Sequence, residues 1–149
     1  MTQAIVVEKD SPYADATSLA DFKDATLGAQ VGTTSLDAIT NTIQPSTPPQ
    51  VFDDTNIAKN ALENGQVDGI VADLPTAFYI TDVQIPGSVI AGQFQTAGGE
   101  PEEFGLLFEK GNPLVDCANQ ALGELKSDGT LQELQDKWLS QSADAPTLD

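Results

Sequence analysis

Three consecutive hydroxyl side chains lie where a predicted strand meets a predicted helix, at Thr33, Thr34 and Ser35. The apolar residues before them predict a strand that ends at Gly32, and the helical spacing of Leu36, Ile39 and Ile43 predicts the helix. A helix start presents unpaired amide N–H groups and partial positive charge, which favour a carboxylate or phosphate by about 0.3–1 kcal/mol. The pattern therefore indicates an anion site, although Ser or Thr before a helix more often serves only as its N-cap.

An acidic residue lies at the end of another predicted strand. The apolar residues 69–72 lead into Asp73, and Pro75 fits the first turn of a helix that continues to Ile80. Open α/β sheets bind ligands at the carboxyl ends of their strands, although capping of the helix would also explain Asp73. One carboxylate oxygen can cap the helix while the other faces a ligand. Donors for a carboxylate and an acceptor for an ammonium together match an amino acid.

Composition excludes several classes of function. The chain of 149 residues has 40% hydrophobic and 19% charged residues, as one globular domain does, and no apolar run approaches the length of a membrane span. A net charge of −17 argues against nucleic acid or anionic membrane as partners. Histidine is absent and Cys117 is the single cysteine, which excludes a disulfide within the chain, the usual zinc sites and His-based catalysis. We expect no metal, no cofactor and no catalytic residue.

Strands and helices alternate along residues 4–91, which predicts a mainly parallel α/β layer. The entering strand is expected at residues 4–8, a short helix capped by Ser18 and Asp21 follows, and the Pro-rich residues 44–50 should form a loop. A short strand then leads to a helix with Asp54 as N-cap and Gly65 as terminator. The residues expected on its buried face are Ile57, Ala58, Ala61 and Leu62.

The C-terminal third predicts one more strand and two helices. Residues 104–108 are apolar enough for a strand, and the helix after Asn112 and Pro113 has an apolar stripe that includes Cys117, which we expect to be buried. A last helix begins at Thr130, with Glu133 completing a capping box, and Trp138 is expected to be packed. The polar residues after Leu139 are expected to be frayed.

These residues resemble the solute-binding proteins of polar amino-acid ABC importers. The resemblance runs in one unbroken order from about Ala4 to Leu139, through the segments QAIVVEKDS, SLADFKDATLGAQVGTTS, NIAKNALENGQVDGIVAD, EEFGLLFEKGNPL and ALGELKSDGTLQELQDKWL. The resemblance implies an α/β fold, a three-layer sandwich lobe of the type II periplasmic-binding-protein fold. It also implies that two lobes close on a ligand.

The resemblance further implies a particular division of the chain. Residues 1–105 would form the second, ligand-closing lobe, and residues 106–149 would form the returning C-terminal segment of the first lobe. The N-terminal part of the first lobe would be absent, as in a truncated protein. The absence of Arg fits, since the carboxylate-binding Arg of the family belongs to the first lobe. Without that lobe the C-terminal helices would expose apolar residues and favour self-association. The hinge is expected at Thr2, Gln3, Ala4, Ile5, Glu102, Glu103, Phe104 and Gly105.

Carried over residue by residue, the family's site falls on both polar segments. The Thr34 amide would bind the ligand carboxylate with Thr33 and Ser35 supporting the turn, and Asp73 would accept from the ammonium. Gln30 would line the side-chain pocket, where many relatives carry another residue, and Ala72 would leave room beside Asp73. Which amino acid is bound stays open.

The implied function is the substrate-binding component of an ABC importer. Its partners would be a free amino acid and the permease subunits, and it would lie in the periplasm or outside the cell, either free or lipid-anchored to the outer face of the cytoplasmic membrane. One alternative is the ligand-sensing domain of a receptor. Another is a dehydratase or lyase on the same fold, with Glu102 or Glu103 as acid or base. A purely structural role would leave the arrangement of Thr34 and Asp73 unexplained.

Overall fold

A computed structural model describes residues 2–97, 103–135, 137–138 and 145–149. The chain forms two compact units, of which the first comprises Met1–Glu102 with Ala145–Asp149 and the second comprises Glu103–Asp144. The last five residues of the chain thus belong to the first unit. The expected division into lobes at residue 105 stays a prediction.

A five-stranded sheet forms the centre of the first unit. Its strands are β1 (Gln3–Glu8), β2 (Leu27–Gln30), β3 (Gln50–Phe52), β4 (Gly69–Asp73) and β5 (Ser88–Phe94), in the spatial order β3-β2-β4-β1-β5. Strand β2 is parallel to β3 and β4, whereas β1 is antiparallel to β4 and β5. The sheet is therefore mixed, because β1 runs against the direction shared by the other four strands, and the predicted mainly parallel layer describes those four.

Helices connect these strands. They are α1 (Thr34–Ala38), α2 (Thr55–Glu63) and α3 (Leu74–Tyr79), and α1 and α3 continue into π-helical turns at Ile39–Ile43 and Ile80–Gln84. The expected short helix is a 3₁₀ turn, Leu19–Phe22, and its capping box of Ser18 and Asp21 is confirmed. The predicted N-cap Asp54 is also confirmed, since its side chain accepts from the Ile57 amide at 2.9 Å.

The core of the first unit covers both faces of β1. Ile5 and Val7 belong to a buried cluster with Phe22 and Ile39, and Ala4 and Val6 are buried as well. The predicted inward face of α2 is wrong at one position, because Ile57 is 45% exposed while Lys59 is buried. Apolar spacing did not distinguish these two because the long stem of a lysine can lie along apolar surface.

The C-terminal residues pack on the outer edge of β5, contrary to the fraying expected there. Leu148 is 4% exposed, its amide donates to the Gln93 carbonyl at 2.9 Å, and the Gln93 amide donates to the Pro146 carbonyl at 2.7 Å. The backbone carbonyl of Asp149 accepts from the Leu19 amide at 3.1 Å. The prediction was wrong because it used only the polarity of these residues. One buried leucine and backbone pairing to an edge strand are sufficient to order the segment. Residues 140–144 lie outside the described part of the chain.

The second unit contains α4 (Leu114–Ser127) and α5 (Thr130–Gln135). Residues 104–108 form no strand, because an apolar run becomes a strand only where a neighbour pairs with its backbone. Cys117 is exposed rather than buried, and none of the described side chains of α4 is buried. Trp138 is 62% exposed rather than packed, which agrees with the expectation of uncovered C-terminal helices. Thr130 lies inside α5, and its amide donates to Asp128 instead.

Among the described residues, no helix has both the length and the apolar character that a membrane crossing requires.

Candidate functional site

A cleft of about 350 Å³ opens at the carboxyl ends of β2 and β4, within the first unit. The chain leaves β2 through α1 toward β3 on one side, and it leaves β4 through α3 toward β5 on the other. Helices that diverge from adjacent parallel strands leave a crevice between them, which is where open α/β sheets bind ligands. The cleft is lined by Gln30, Thr33, Thr34, Ser35, Thr55, Ala58, Ile70, Val71, Ala72, Asp73 and Thr76.

All five residues predicted to bind a ligand line this cleft. They are Gln30, Thr33, Thr34, Ser35 and Asp73. The hinge assignment stays a prediction. Of its residues, Thr2 precedes β1 and residues 3–5 lie within it, whereas residues 103–105 belong to the second unit and have no regular secondary structure. Glu102 lies outside the described residues.

The start of α1 provides the hydrogen-bond donors of the cleft. Thr33 is the N-cap, and its hydroxyl accepts from the Leu36 amide at 3.3 Å and donates to the Gln30 carbonyl at 2.8 Å. Within the described part of the chain, no hydrogen bond uses the amides of Thr34 and Ser35, as expected for the first turn of a helix. These two amides are available to an anion in the cleft, whereas the Thr33 hydroxyl proton is donated to the Gln30 carbonyl.

A buried glutamine lies beneath this turn and holds the other two hydroxyls. Gln3 is 1% exposed, its Oε1 accepts from the Ser35 hydroxyl at 2.8 Å, and its Nε2 donates to the Thr34 hydroxyl oxygen at 3.2 Å. The Ser35 proton is therefore used within the protein, so this hydroxyl supports the turn rather than donating to a ligand. The Thr34 hydroxyl accepts from Gln3 and retains its own proton.

Asp73 provides the acceptor of the cleft. Its Oδ1 accepts from the Thr76 amide at 3.0 Å and its Oδ2 accepts from the Thr76 hydroxyl at 2.7 Å. Both oxygens thus contact Thr76, with Oδ1 capping the helix and Oδ2 accepting from the hydroxyl. Each carboxylate oxygen has two acceptor positions, so the half-buried carboxylate can still accept from an ammonium.

Two lining threonines were not predicted as site residues. The Thr55 hydroxyl donates to Gln30 Oε1 at 2.9 Å and fixes that amide across the β2 and β3 ends, while Thr76 orients Asp73. Both follow an N-cap aspartate, at one residue after Asp54 and three after Asp73. Their position just after a helix N-cap that follows a strand is the feature of the sequence that could have indicated both threonines.

The cleft contains one ionisable side chain, Asp73, among its lining residues. Among the described residues, no group of three or more His, Cys, Asp or Glu is arranged to hold a metal ion. The chemistry of the lining is therefore that of a polar recognition site: two amides and a hydroxyl that donate, an amide at Gln30, and a carboxylate that accepts.

The sequence comparison gives the family to which this fold and this cleft belong. The family model of bacterial extracellular solute-binding proteins, family 3, matches residues 1–141, so the chain belongs to that family. The family resemblance predicted from the sequence motifs is confirmed.

Individual relatives bind different amino acids. The L-cystine-binding protein TcyJ of Escherichia coli K12 is 27% identical over 119 residues, which cover 79% of this chain and 43% of the relative. The ABC transporter arginine-binding protein 1 of the same organism is 27% identical over 143 residues, covering 93% of this chain and 56% of the relative. The chain thus spans about half the length of these curated relatives.

Solved structures agree with the fold. An ancestral arginine-binding protein bound to glutamine is 31% identical with a TM-score of 0.64, and the match covers 93% of this chain and 60% of that one. The crystal structure of domain 2 from TmArgBP is 30% identical with a TM-score of 0.50, covering 60% of this chain and 92% of that domain. The type II periplasmic-binding-protein fold is confirmed, and the chain corresponds to part of it.

Proposed function

We propose that the cleft binds a free amino acid through its two charged groups. The carboxylate would accept from the Thr34 and Ser35 amides and from the Thr34 hydroxyl, and the ammonium would donate to Asp73. The observation that carries this proposal is the juxtaposition of that donor set and that carboxylate around one cleft. Gln30, held by Thr55, would contact the side chain of the ligand.

Affinity should be weak for this chain by itself. Charge-assisted hydrogen bonds contribute about 1.5–3 kcal/mol each, and much of that gain is offset by the entropy lost on association. A net gain of about 4 kcal/mol corresponds to millimolar binding, whereas micromolar binding needs about 8 kcal/mol. We therefore expect millimolar affinity from the cleft of this chain. In the relatives, the remaining contacts would come from the part of the protein that this chain does not match.

The corresponding whole protein would be the substrate-binding component of an ABC importer. In this proposal residues 1–105 form the ligand-closing lobe and residues 106–149 the returning segment of the other lobe. The connections at residues 2–5 and 102–105 would be the hinge. Ligand contacted by both lobes would favour the closed form, which the permease would recognise. The protein would act in the periplasm or outside the cell, free or lipid-anchored.

Binding without catalysis is the simpler proposal for this site. The relatives are binding proteins, and a general acid and base would need at least a second ionisable group, whereas Asp73 is the single one lining the cleft. The enzyme alternative relied on Glu102 or Glu103. Glu103 is exposed and lies 3.8 Å from Lys126 in the second unit, and Glu102 is outside the described residues.

A receptor-sensing role is the second candidate. Glutamate receptor 3.2 of Arabidopsis thaliana is 37% identical over 83 residues, which cover 55% of this chain and 8% of that receptor. A sensing domain would use the same cleft, so amino-acid binding does not distinguish the two roles. Specific association of the ligand-loaded protein with an ABC permease would favour the importer.

The direct test is an NMR titration of the ¹⁵N-labelled chain with each of the twenty amino acids. We expect at least one to shift the amide resonances of Thr34, Ser35 and Thr76, with saturation in the millimolar range. If none of the twenty shifts these resonances, the amino-acid site is wrong. If ligands shift only residues outside the cleft, binding occurs elsewhere and the assigned contacts are wrong.

A further inference from the structure

We infer that Gln3 is a positioning residue that makes the cleft selective for a carboxylate, by forcing the Thr34 hydroxyl to donate into it. This inference rests on the proposed amino-acid site and adds to it a residue that does not itself contact the ligand. Gln3 lies in β1, it is 1% exposed, and it is not among the residues that line the cleft.

The direction of the two hydrogen bonds carries the inference. A hydroxyl can donate one hydrogen bond and accept two. In the Gln3 amide, Nε2 only donates and Oε1 only accepts. The donor end is 3.2 Å from Thr34 Oγ1, so Thr34 must accept there and its proton remains for a partner on the cleft side. The acceptor end takes the Ser35 proton at 2.8 Å, which fixes the orientation of the amide.

The neighbouring residues make this orientation stable. Ser35 is buried, and reversing the amide of Gln3 would make the Ser35 hydroxyl accept from the amide and would take away the Oε1 acceptor of the Ser35 proton. Thr33 cannot replace Thr34 as a donor, because its proton already binds the Gln30 carbonyl at 2.8 Å. Of the three consecutive hydroxyls, Thr34 is thus the one whose proton no hydrogen bond of the described residues uses.

The Gln3→Glu substitution tests this polarity with almost no change of shape. A carboxylate at position 3 accepts from both hydroxyls, so the Thr34 proton turns away from the cleft, and the new charge also repels a ligand carboxylate. A matched control is Gln93→Glu, which adds the same charge on β5. Gln93 likewise accepts one bond, from the Thr2 hydroxyl at 2.9 Å, and donates one, to the Ala145 carbonyl at 3.0 Å.

The readout is the preference for a carboxylate over a neutral carboxamide. Dissociation constants of L-glutamine and L-glutaminamide, and of L-arginine and L-argininamide, are measured by NMR shifts of the Thr34 amide in all three proteins. If Gln3 only stabilised the fold, its substitution would weaken binding of the amino acid and of its carboxamide equally. We expect Gln3→Glu to lower the carboxylate preference by about tenfold or more relative to Gln93→Glu, as the loss of a charge-assisted hydrogen bond implies.

A second variant guards against misfolding. Gln3→Met has similar length and no charge, and it also removes the hydrogen bond to Thr34. It should therefore also lower the carboxylate preference, but by less than Gln3→Glu does. If the original chain binds L-glutamine or L-arginine and the uncharged variant Gln3→Met keeps its carboxylate preference, the inference is wrong while the amino-acid site stands, and any loss in Gln3→Glu is then an effect of the added charge. If the original chain shows no response at Thr34 to either amino acid, the proposed site fails and this inference fails with it.

Discussion

Gln3 and Asp73 lie directly opposite each other on the antiparallel strands β1 and β4, so their side chains leave the same face of the sheet. Gln3 holds the Thr34 hydroxyl, and Asp73 is the acceptor on the other side of the cleft. The groups proposed to bind the two charges of an amino acid are therefore positioned by one pair of neighbouring strands in the centre of the sheet. A sheet centre is more rigid than a loop, so the spacing of these groups should persist without ligand.

The C-terminal segment should contribute measurably to the stability of the first unit. Leu148 packs against Gly92, where an added Cβ would lie 2.4 Å from Leu148 Cγ. We expect Leu148→Ala to lower the free energy of unfolding by about 2 kcal/mol, because it removes a buried side chain. Gly92→Ala should also destabilise, because the segment must move. Both are measured by urea unfolding.

A double-mutant cycle identifies the cause. If the steric conflict with Leu148 is responsible, Gly92→Ala should cost less in a Leu148→Ala background than in the original chain. Gly105→Ala is a suitable control, because nothing lies within 4 Å of its added Cβ. Equal costs of Gly92→Ala in both backgrounds would show that the segment does not pack on β5 as described.

Acidic groups crowd the end of β1, and this gives a pH dependence. Burial raises the pKa of Glu8, and the nearby carboxylates of Glu63 and Asp10 raise it further. Because the folded pKa of Glu8 is raised, its protonation stabilises the fold. This stabilisation is fully present below the unfolded pKa and is lost as pH rises through the folded pKa. We expect Glu8→Gln to raise the free energy of unfolding at pH 7.

The same variant should have no advantage in acid. Well below the unfolded pKa of about 4.3, Glu8 is protonated in both states, so the difference from the original chain should disappear. Asp15→Asn serves as a control for the removal of one negative charge from an acidic protein. Urea unfolding at several pH values measures both variants. A Glu8→Gln advantage that is independent of pH, or matched by Asp15→Asn, would contradict the assigned cause.

The second unit should promote self-association of this chain. It exposes apolar side chains close together in sequence, with Leu107 99% exposed and Phe104, Leu106 and Leu114 also exposed. Their removal from water is worth about 25 cal/mol per Å². We expect sedimentation velocity to show concentration-dependent association that Leu107→Glu weakens. Asn119→Asp adds the same charge at an exposed polar position and should leave association unchanged. A chain that stays monomeric at all concentrations would contradict this expectation.

The sequence predicted much of the first unit because its signals are local. The N-caps Ser18 and Asp54, the strand ending at Asp73 and the left-handed glycine Gly65 each follow from neighbouring residues, and all appear in the structure. The cleft residues Thr34 and Asp73 were predicted as a pair through strand ends and family motifs. Their roles in binding stay predictions.

What the sequence missed depends on contacts between distant residues. Gln3 was assigned to a hinge, and nothing within β1 indicates that its amide contacts hydroxyls more than thirty residues away. The docking of Leu148 on Gly92 joins residues more than fifty positions apart. Burial was overestimated for Cys117, because an apolar stripe predicts which side of a helix can pack but not whether a partner covers it.

Asp73→Asn tests the amino-acid site most directly. Asparagine caps a helix as well as aspartate does, so the start of α3 should persist while the charge that attracts an ammonium is lost. Asp54→Asn makes the same change at the N-cap of α2, outside the cleft lining, and serves as the control. NMR titration with the best-binding amino acid should show affinity at least about tenfold weaker for Asp73→Asn and unchanged for Asp54→Asn. Equal affinities of the two variants would contradict the proposed site.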